Sequence, residues 1–491
     1  MKRVALAVVA VVGLLAAIVA VRALSQESLQ PGDEEPVHLE LDTSALASRF
    51  AAAITYRTIS NQDRSDIDRD AFLGLHDHFA VSYPLVHEQL ALEKVNELSL
   101  LYTWQGSSPA LAPVLMMGHL DVVPVIPGTE DEWLQPPFAG VIESGVIWGR
   151  GALDDKSSVV TILEAVELLL AEGFQPERTI YLAFGHDEEV GGPEGAGRIA
   201  ELFEERGVGP FAFVLDEGGA IADGLVPGVT GKVAIVGIAE KGFISLELEV
   251  EGDGGHSSTP PEHTNIGILA AAIGKLENHQ FPARLDGASL EMFRYLTPEM
   301  PFVGRAVFAN LWLFKPIVVR LLLVDQMSAA MVRTTTAATI FNGGVKDNVL
   351  PIDATAVVNF RILHGDTKTT VIERVRQVID DERVQVRDIS TSHDPSAVSS
   401  PDGPAFALLG KTLRQVVGND VLITPYLVVG GTDAKYYSGK SPAVFRFLPM
   451  VVGADGLKLM HGTNERAAID SLATAVRFMH QFIRNTGELP E

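Results

Sequence analysis

Short apolar runs alternate with helical patterns along residues 41–239 of this chain. Runs rich in β-branched or aromatic residues and bounded by turn residues predict buried strands at 113–118, 179–185, 211–215 and 233–238. Apolar residues at helical spacing predict helices at 44–56, 70–79 and 157–171. Strands separated by helices favour an α/β fold with a mostly parallel, doubly wound sheet and helices on both faces.

The pattern changes at Glu240. Apolar and charged residues alternate strictly over 243–251, which is typical of a strand with one face in water. The following pattern predicts helices at 265–276 and 368–380 and strands at 337–341, 354–363 and 384–389. We interpret residues 240–395 as a smaller α+β domain inserted into the first one, which resumes over 396–491.

Within the inserted domain, residues 281–331 form an unusually apolar insert that includes the runs 311–314 and 317–323. Lys315, Pro316 and Arg320 interrupt these runs, which argues against a membrane span. The favoured interpretation is a helical hairpin packed on its own domain, and a patch on a membrane surface is the alternative.

Residues 1–24 form a separate N-terminal segment. Lys2 and Arg3 precede an unbroken apolar stretch over 4–21, as in an export signal whose length is at the lower limit for a membrane span. Arg22 spoils an otherwise small-residue cleavage site, so a cleaved signal and a retained anchor are equally supported. A buried core helix is the weaker alternative. An acidic linker, 25–40, follows, and either export interpretation places the remaining chain outside the cytoplasm.

Composition limits the class of protein and of site. At 491 residues the chain exceeds the usual size of one core, so two domains are expected. A formal net charge of −25 argues against nucleic-acid binding, which requires clustered Lys and Arg. The chain has no cysteine, so nitrogen and oxygen atoms must hold any bound metal.

Five segments end apolar or glycine-rich runs with side chains that bind metals. They contain His119 and Asp121, Asp154 and Asp155, Asp187 to Glu189, Asp216 and Glu217, and His461. The carboxyl ends of parallel strands meet at one edge of a sheet, where ligands bind in open α/β folds. Two imidazoles with several carboxylates suit a pair of divalent metals, and this combination indicates a hydrolase.

Each segment also has a simpler explanation when it is considered alone. His119 is expected to be a ligand, with Asp121 accepting its second N–H, although such a pair is more often a surface hydrogen bond. Asp154 and Asp155 precede a helix, where carboxylates often serve only as caps. Adjacent acids at 187–189 repel one another unless a cation or a shared proton relieves them.

The ordered motifs GHLDVVP, GRGALDDK, GHDEEVGG, LDEGG, GGHSSTPP, DNVLP, GGTDA and HGTNE resemble the di-zinc exopeptidase and amidohydrolase family. This family includes carboxypeptidase G, aminoacylase, acetylornithine deacetylase and succinyl-diaminopimelate desuccinylase. The most similar subgroup comprises carboxypeptidase S, a Gly-X carboxypeptidase, and the secreted N-fatty-acyl-amino-acid synthase/hydrolase. The resemblance extends over residues 44–486.

This resemblance implies a role for each matching residue of the larger domain. Asp154 would bridge two metals; the remaining metal ligands would be His119, Asp216, Glu189 and His461. Glu188 would be the general base and later the proton donor, with Asp121 supporting His119. Asp216 stands where many relatives have Glu. Backbone groups of a loop would line the pocket, namely Gly430, Gly431 and Thr432.

The inserted domain would act as a lid and dimerisation domain. His256 would stabilise the oxyanion, and in dimeric relatives this histidine comes from the other subunit, which implies a homodimer through the lid. Asn348 and Arg361 would hold substrate, Arg361 through the substrate carboxylate. Lys435 stands where several relatives have Arg, which leaves its role open.

The resemblance implies two Zn²⁺ ions per subunit, with Co²⁺ or Mn²⁺ as alternatives. The expected reaction is hydrolysis of the amide bond of an N-acyl amino acid or a short peptide with a free carboxylate. The reverse synthesis of N-acyl amino acids is open to the same site. The alternatives are a general Gly-X carboxypeptidase, a non-catalytic binding homologue and a phosphoesterase.

Overall fold

The computed structural model describes residues 1–61, 63–226, 228–453 and 456–490. The chain up to residue 240 begins with a long apolar helix and continues with alternating strands and helices. Its α-helices are α1 (Lys2–Leu24), α2 (Thr43–Ile54), α3 (Arg69–Ser82), α4 (Pro84–Gln89), α5 (Lys156–Ala171) and α6 (Arg198–Glu205). Its strands are β1 (Ala91–Val95), β2 (Ser99–Trp104), β3 (Val114–His119), β4 (Val141–Glu143), β5 (Val146–Trp148), β6 (Ile180–Gly185), β7 (Phe213–Asp216), β8 (Ala220–Asp223) and β9 (Lys232–Glu240).

The inserted part contains two kinds of structure, an antiparallel sheet with two helices and a separate group of helices. Its strands are β10 (Gly242–Glu251), β11 (Gly255–His256), β12 (Thr335–Gly343), β13 (Val349–Leu350), β14 (Asp353–Ile362) and β15 (Gln385–Asp388). Its helices are α7 (Asn265–Asn278), α8 (Gly287–Leu296), α9 (Phe302–Phe308), α10 (Leu311–Leu322), α11 (Gln326–Val332) and α12 (Lys368–Ile379).

The last part of the chain returns to the first sheet. Its helices are α13 (Pro404–Val417), α14 (Gly456–Leu459) and α15 (Ile469–Asn485). Its strands are β16 (Leu422–Val428), β17 (Val444–Arg446), β18 (Val451–Val452) and β19 (Arg466–Ala468).

Four parallel strands form the centre of a ten-stranded mixed sheet, in the order β6-β3-β7-β17. Alternate side chains of β3 enter different cores, since Met116 packs with α5 and α15 whereas Leu115 and Met117 pack with α6. Helices therefore cover both faces, which confirms the predicted α/β fold. The carboxyl ends of β3, β6 and β7 meet at one edge.

The inserted sheet is antiparallel, in the order β12-β14-β10-β15. The alternation predicted for β10 is confirmed, because Ile244, Leu246, Leu248 and Val250 are all buried beneath α7 and α12. Strand β12 is the edge strand, and most of its length is exposed. We call this sheet, its two helices and the β11–β13 ribbon the lid.

Residues 281–331 fold into helices, as predicted, but they pack on a different partner from the expected one. Phe293, Val318 and Met331 share a core with Val233 of β9, and Leu422 and Tyr426 of β16 pack against it. This apolar insert therefore covers the edge of the larger sheet and not the sheet of its own domain. The prediction that the insert packs on its own domain was therefore wrong.

Helix α1 has the length and composition of a membrane span, and none of its apolar window is buried. It touches the body only near its last turns. The Arg22 Nε–H donates to the Ala309 carbonyl at 3.2 Å, and the Asn310 side-chain amide donates to the Val19 carbonyl at 3.2 Å. The acidic linker that follows has no regular secondary structure, and Gln30 hydrogen-bonds the backbone of Ile423 on β16.

Candidate metal centre

Four segments that lie far apart in sequence meet at the carboxyl edge of the larger sheet. His119 is the last residue of β3, and Glu188 and Glu189 lie in a 3₁₀ turn after β6. Asp154 lies in the turn before α5, and His461 lies in the loop before β19. His119 and the two glutamates come together because β3 and β6 are buried runs that end at this edge, whereas Asp154 and His461 reach it on loops.

Asp154 lies between two imidazoles. Its Oδ1 is 2.9 Å from His119 Nε2, and its Oδ2 is 2.9 Å from His461 Nε2. His461 Nε2 is also 3.3 Å from Glu189 Oε2. One carboxylate thus faces two separate nitrogen ligands with its two oxygens, which is the arrangement needed to bridge two ions.

The donor atoms suit a metal ion. Ligands at about 2.0–2.1 Å in tetrahedral geometry are separated by roughly 3.3 Å, close to the observed spacings. One donor atom from each of His119, Asp154 and Glu189 lies within 4.8 Å of the others. Within the described part of the chain, Glu189 Oε1 is buried without a hydrogen-bond partner. A nitrogen- and oxygen-donating set of this kind suits Zn²⁺, Co²⁺ or Mn²⁺.

The carboxylates also set the charge of the two imidazoles. Burial alone would lower the pKa of His119, but its contacts with Asp121 and Asp154 raise that pKa well above its usual range. Contacts with Asp154 and Glu189 raise the pKa of His461 to about 10. In the metal-free protein these contacts therefore favour the cationic form of both imidazoles.

Asp121 supports the centre from behind. His119 Nδ1 donates to the Asp121 carbonyl at 3.0 Å, which directs Nε2 towards Asp154. The Asp121 carboxylate accepts the backbone N–H groups of Glu188 and Glu189, both at 3.1 Å. This buried side chain therefore fixes both the histidine and the turn that carries the two glutamates.

Two further carboxylates support the centre: Asp155, which was predicted only as a possible helix cap, and Glu465, for which no role was predicted. Asp155 accepts the backbone N–H of His119 at 3.2 Å. Glu465 is fully buried; its Oε1 accepts the N–H groups of Leu153 and Asp154, and its Oε2 pairs with Arg150 at 2.6 Å. The glutamate that ends the HGTNE motif is the signal that could have found this clamp.

Asp216 and Glu217 point into different surroundings. Asp216 is buried, and its Oδ2 accepts the Ala434 N–H at 2.7 Å, with Arg446 nearby. Burial, followed by the charges of Asp154 and Asp155, raises the pKa of Glu217 well above its usual range. The charge of Asp154 thus acts on Glu217, while the charge of Asp216 acts on the adjacent Asp155, and Asp216 stays the predicted ligand.

Glu188 is partly accessible beside the centre. Burial raises the pKa of its carboxyl well above the usual range, and the negative charge of Asp433 adds to this effect. The cations of His119 and Lys435 oppose it. A carboxyl with a raised pKa next to two metal ligands has the chemistry of a general base.

The model of the peptidase family M20/M25/M40 matches residues 115–485, which include all the residues of this centre. The chain belongs to this family. It is therefore a hydrolase of the M20 metallopeptidase class, as the motif order predicted.

Similar proteins include members of the subgroup that the motifs predicted. A probable carboxypeptidase S-like protein 2 from Dictyostelium discoideum is 42% identical over 94% of this chain and 89% of its own length. The N-fatty-acyl-amino acid synthase/hydrolase PM20D1 of Homo sapiens is 38% identical over 90% of this chain and 88% of its own length. The M20 metallo-carboxypeptidase Sso-CP2 of Sulfolobus solfataricus has the same fold, with a TM-score of 0.67 at 19% identity over 90% and 99% of the two chains.

Arg361 is the lid residue that reaches the catalytic edge of this M20 chain. It extends from β14, its guanidinium carbon lies 4.9 Å from the Phe243 ring centre, and the charge of Glu188 acts on it. A Cβ on Gly431 would lie 3.8 Å from Arg361 Nη1. Because Gly431 has no side chain, this loop leaves space in front of the Arg361 guanidinium.

The remaining loop residues of the predicted pocket have different surroundings. The backbone N–H and the hydroxyl of Thr432 both donate to Glu240 Oε2, at 3.0 and 2.9 Å. Thr432 therefore orders the loop through Glu240, and its N–H is already used. Gly430 lies two residues after the end of β16, and among the described residues, its chain neighbours aside, no atom lies within 4 Å of the position that a Cβ would occupy there.

His256 and Asn348 lie elsewhere, on the two-stranded ribbon of the lid. His256 pairs with Val349, is exposed, and hydrogen-bonds through Nδ1 to Ser258. Asn348 Oδ1 accepts from Lys346 Nζ at 2.6 Å. Among the described residues, neither side chain hydrogen-bonds to a residue of the metal centre.

Proposed function

We propose that this M20 hydrolase cleaves the amide bond of N-acyl amino acids or short peptides that carry a free carboxylate. The observation that carries the proposal is that Glu188 adjoins Glu189 of the Asp154 centre while its charge acts on Arg361 of the lid. The Asp154 centre suits the activation of a water nucleophile, and Arg361 suits the binding of a substrate carboxylate. Two named relatives, a carboxypeptidase S-like protein and an acyl-amino acid hydrolase, support this class of substrate.

Two Zn²⁺ ions are the proposed cofactors, with Co²⁺ or Mn²⁺ as alternatives. His119, Asp154, Glu189 and His461 would hold them. We propose Glu217 as the fifth ligand in place of Asp216, because Glu217 is partly accessible and the charge of Asp154 acts on it. When bound, the ions would polarise the scissile carbonyl and lower the pKa of a water molecule.

The residues of this chain then divide the remaining work. Glu188 takes a proton from the attacking water, holds it because burial raises the pKa of its carboxyl, and passes it to the leaving nitrogen. Arg361 binds the substrate carboxylate through its planar fork, and the ring of Phe243 keeps that fork in place. Asp121 keeps His119 and the Glu188 turn fixed throughout.

His256 and Asn348 are proposed to act across a homodimer formed through the lid. Within one chain both side chains lie on the exposed ribbon. The edge strand β12 exposes Ile340 (52%) and Phe341 (44%), so it offers an apolar strand edge to a second copy. In such a dimer the ribbon of one subunit would supply His256 to the oxyanion at the other centre.

The catalytic body is proposed to lie outside the cytoplasm, with α1 retained as a membrane anchor. The side-chain contacts of Arg22 and Asn310 join α1 to the body, and a cleaved signal has no need of such contacts.

The proposal is tested with the purified full-length protein, loaded with Zn²⁺ and supplied with three substrate sets. These sets are N-acyl amino acids from acetyl to oleoyl, C-terminally free dipeptides, and a chromogenic phosphodiester. Release of free amino acid is expected from the first set and to a smaller extent from the second. Cleavage of the phosphodiester alone, or of no amide by the metal-loaded protein, would refute the proposal. Equal rates over all acyl lengths, with faster dipeptide cleavage, would favour the Gly-X carboxypeptidase.

A further inference from the structure

We infer that the hairpin α9–α10 lies in the surface of the same lipid bilayer that α1 enters, so that anchor and hairpin form one membrane-contacting face. We call residues 302–324 the docking hairpin. The inference goes beyond the proposed hydrolase function and depends on only one part of it, the retention of α1.

The docking hairpin exposes apolar side chains on one face. Leu313, Ile317 and Leu321 of α10 follow one another at intervals of four residues, and Val324 continues the row. Residues at this spacing lie on one side of a helix. Ile317, Leu321 and Val324 are 58%, 65% and 82% exposed, respectively. A soluble protein normally covers a row of this kind or replaces it with polar residues.

The exposed row does not result from a hairpin that lacks a core. Val318, about 100° around α10 from Ile317, is 3% exposed and belongs to the core shared with β9. Phe314 and Leu322 pack against the same core, and Phe308 of α9 stacks on Phe293 with ring centres 4.5 Å apart. The hairpin is thus firmly attached by one face, and its other apolar face has no cover within the described chain.

The hairpin and α1 meet at a defined point. Arg22 and Asn310 join the last turns of α1 to the α9–α10 turn. A helix of 23 residues is about 35 Å long, and the hydrocarbon core of a bilayer is about 30 Å thick. Val19 to Arg22 therefore lie where α1 leaves the hydrocarbon, which places the attached hairpin at the lipid–water boundary.

The geometry of the hairpin suits a surface position and not a span. Helices α9 and α10 have 7 and 12 residues and meet at 104°. Even α10, at about 18 Å, is too short to cross the hydrocarbon core. Trp312 is 53% exposed and anchored by its N–H to Asn310 Oδ1, which is typical of an aromatic residue at a membrane interface.

Charge favours lipid over a second copy of this chain as the occupant. The docking hairpin contains Arg305, Lys315 and Arg320 and no Asp or Glu, although the whole chain has a net charge of −25. Contact between two such hairpins would bring like charges together. Anionic lipid head groups would instead attract them, while the long side chains of Lys315 and Arg320 reach from the apolar row to the head groups.

The absence of cysteine in the native chain permits a direct test in the full-length protein. Single cysteines at Ile317 and Val324 would carry an environment-sensitive fluorophore on the hairpin. Val81, also 82% exposed and on α3, is the matched control for Val324, and Leu14 of α1 reports on the anchor. Each labelled protein is reconstituted into phosphatidylcholine–phosphatidylglycerol vesicles that contain a lipid spin-labelled on its upper acyl chain.

Lipid spin labels are expected to quench the Ile317→Cys and Val324→Cys probes at least half as strongly as the Leu14→Cys probe. The Val81→Cys probe is expected to keep its full emission. Quenching at Leu14 without quenching on the hairpin would overturn the inference and leave the anchor intact, whereas no quenching at any position would overturn both. Hairpin probes that become shielded from water without lipid quenching would identify a second copy as the occupant and would also overturn it. Hydrolysis of a short soluble substrate, measured on the same samples, tests the proposed function separately.

Discussion

Substitution of Glu217 and Asp216 separates a metal ligand from a structural carboxylate. Glu217→Gln keeps the size of the side chain and removes its charge beside Asp154. Asp216→Asn keeps the size of a buried side chain whose Oδ2 accepts the Ala434 N–H at 2.7 Å. These adjacent isosteric variants serve as controls for each other.

Glu217→Gln is expected to change the metal content, whereas Asp216→Asn is not. A site with four ligands binds Zn²⁺ with an apparent free energy of about 10–16 kcal/mol, so the loss of one ligand weakens binding by roughly 3 kcal/mol, or a hundredfold or more. Glu217→Gln should therefore reduce the metal content from two ions towards one after dialysis against a chelator. Asp216→Asn should keep both ions and change the free energy of unfolding of the metal-free protein by about 1 kcal/mol or less, because the amide oxygen still accepts the Ala434 N–H and burial already disfavours the charge of Asp216 by raising its pKa.

The assay combines elemental analysis of the dialysed proteins with urea unfolding of their metal-free forms. If Asp216→Asn loses a metal while Glu217→Gln retains both, the motif-based choice of Asp216 is correct and the structural argument for Glu217 is wrong. If both variants retain two ions, the fifth ligand lies elsewhere.

Other perturbations test the remaining residues. Glu188→Gln should retain both metals and lower kcat by about 10²–10⁴-fold, since general bases contribute this much; Glu189→Gln should instead lose metal, and elemental analysis distinguishes the two. Mixed dimers of inactive His256→Ala and inactive Glu188→Gln should regain activity if His256 acts across the interface; verified heterodimers without activity would exclude this arrangement. Contacts with Asp154 and Glu189 raise the pKa of His461 to about 10, so its imidazole must lose a proton to bind metal and the affinity should rise with pH up to that value. Calorimetry at pH 7.5 in buffers of different ionisation enthalpy should show proton release on metal addition, and binding without proton release would contradict the raised pKa of His461.

The strands that position the centre were predictable because each of their sequences shows both that the strand is buried and where it ends. The runs that became β3, β6 and β7 are apolar throughout and stop at polar residues, so the pattern specifies a buried strand and the edge at which it ends. The alternation in β10 likewise records one covered and one open face. The hydrophobic pattern of a strand predicts its structure well when one adjoining layer determines which of its side chains are buried.

Strand β16 was missed for a physical reason. It contains Pro425, which argues against a central strand because proline has no N–H to donate. The residue is tolerated because β16 pairs with β9 at the edge of the main strand path, while α8 and the insert pack over it. The surface against which the insert packs was predicted wrongly for a related reason. An apolar face indicates that it is buried, but it does not indicate which surface covers it.

The choice between Asp216 and Glu217 shows the same limit at the scale of one residue. Adjacent side chains at the end of a strand point to opposite faces, and the face that contains the metal centre depends on the register of β7 against β3 and β17. Two consecutive carboxylates therefore predict a ligand, but the sequence pattern alone does not specify which of the two would bind the metal.

The position of His461 depends on contacts that no local pattern contains. Strand β19 pairs with β5, and Glu465 at its start holds Arg150 and the N–H groups of Leu153 and Asp154. The Arg150 guanidinium in turn donates to the His461 carbonyl at 3.2 Å. Glu465 and Arg150 therefore link the backbone of Asp154, the predicted bridging ligand, to that of His461, the predicted last histidine. The second half of the centre is therefore built by a buried ion pair between residues 315 positions apart, which explains why the motifs predicted its members but not how they are held.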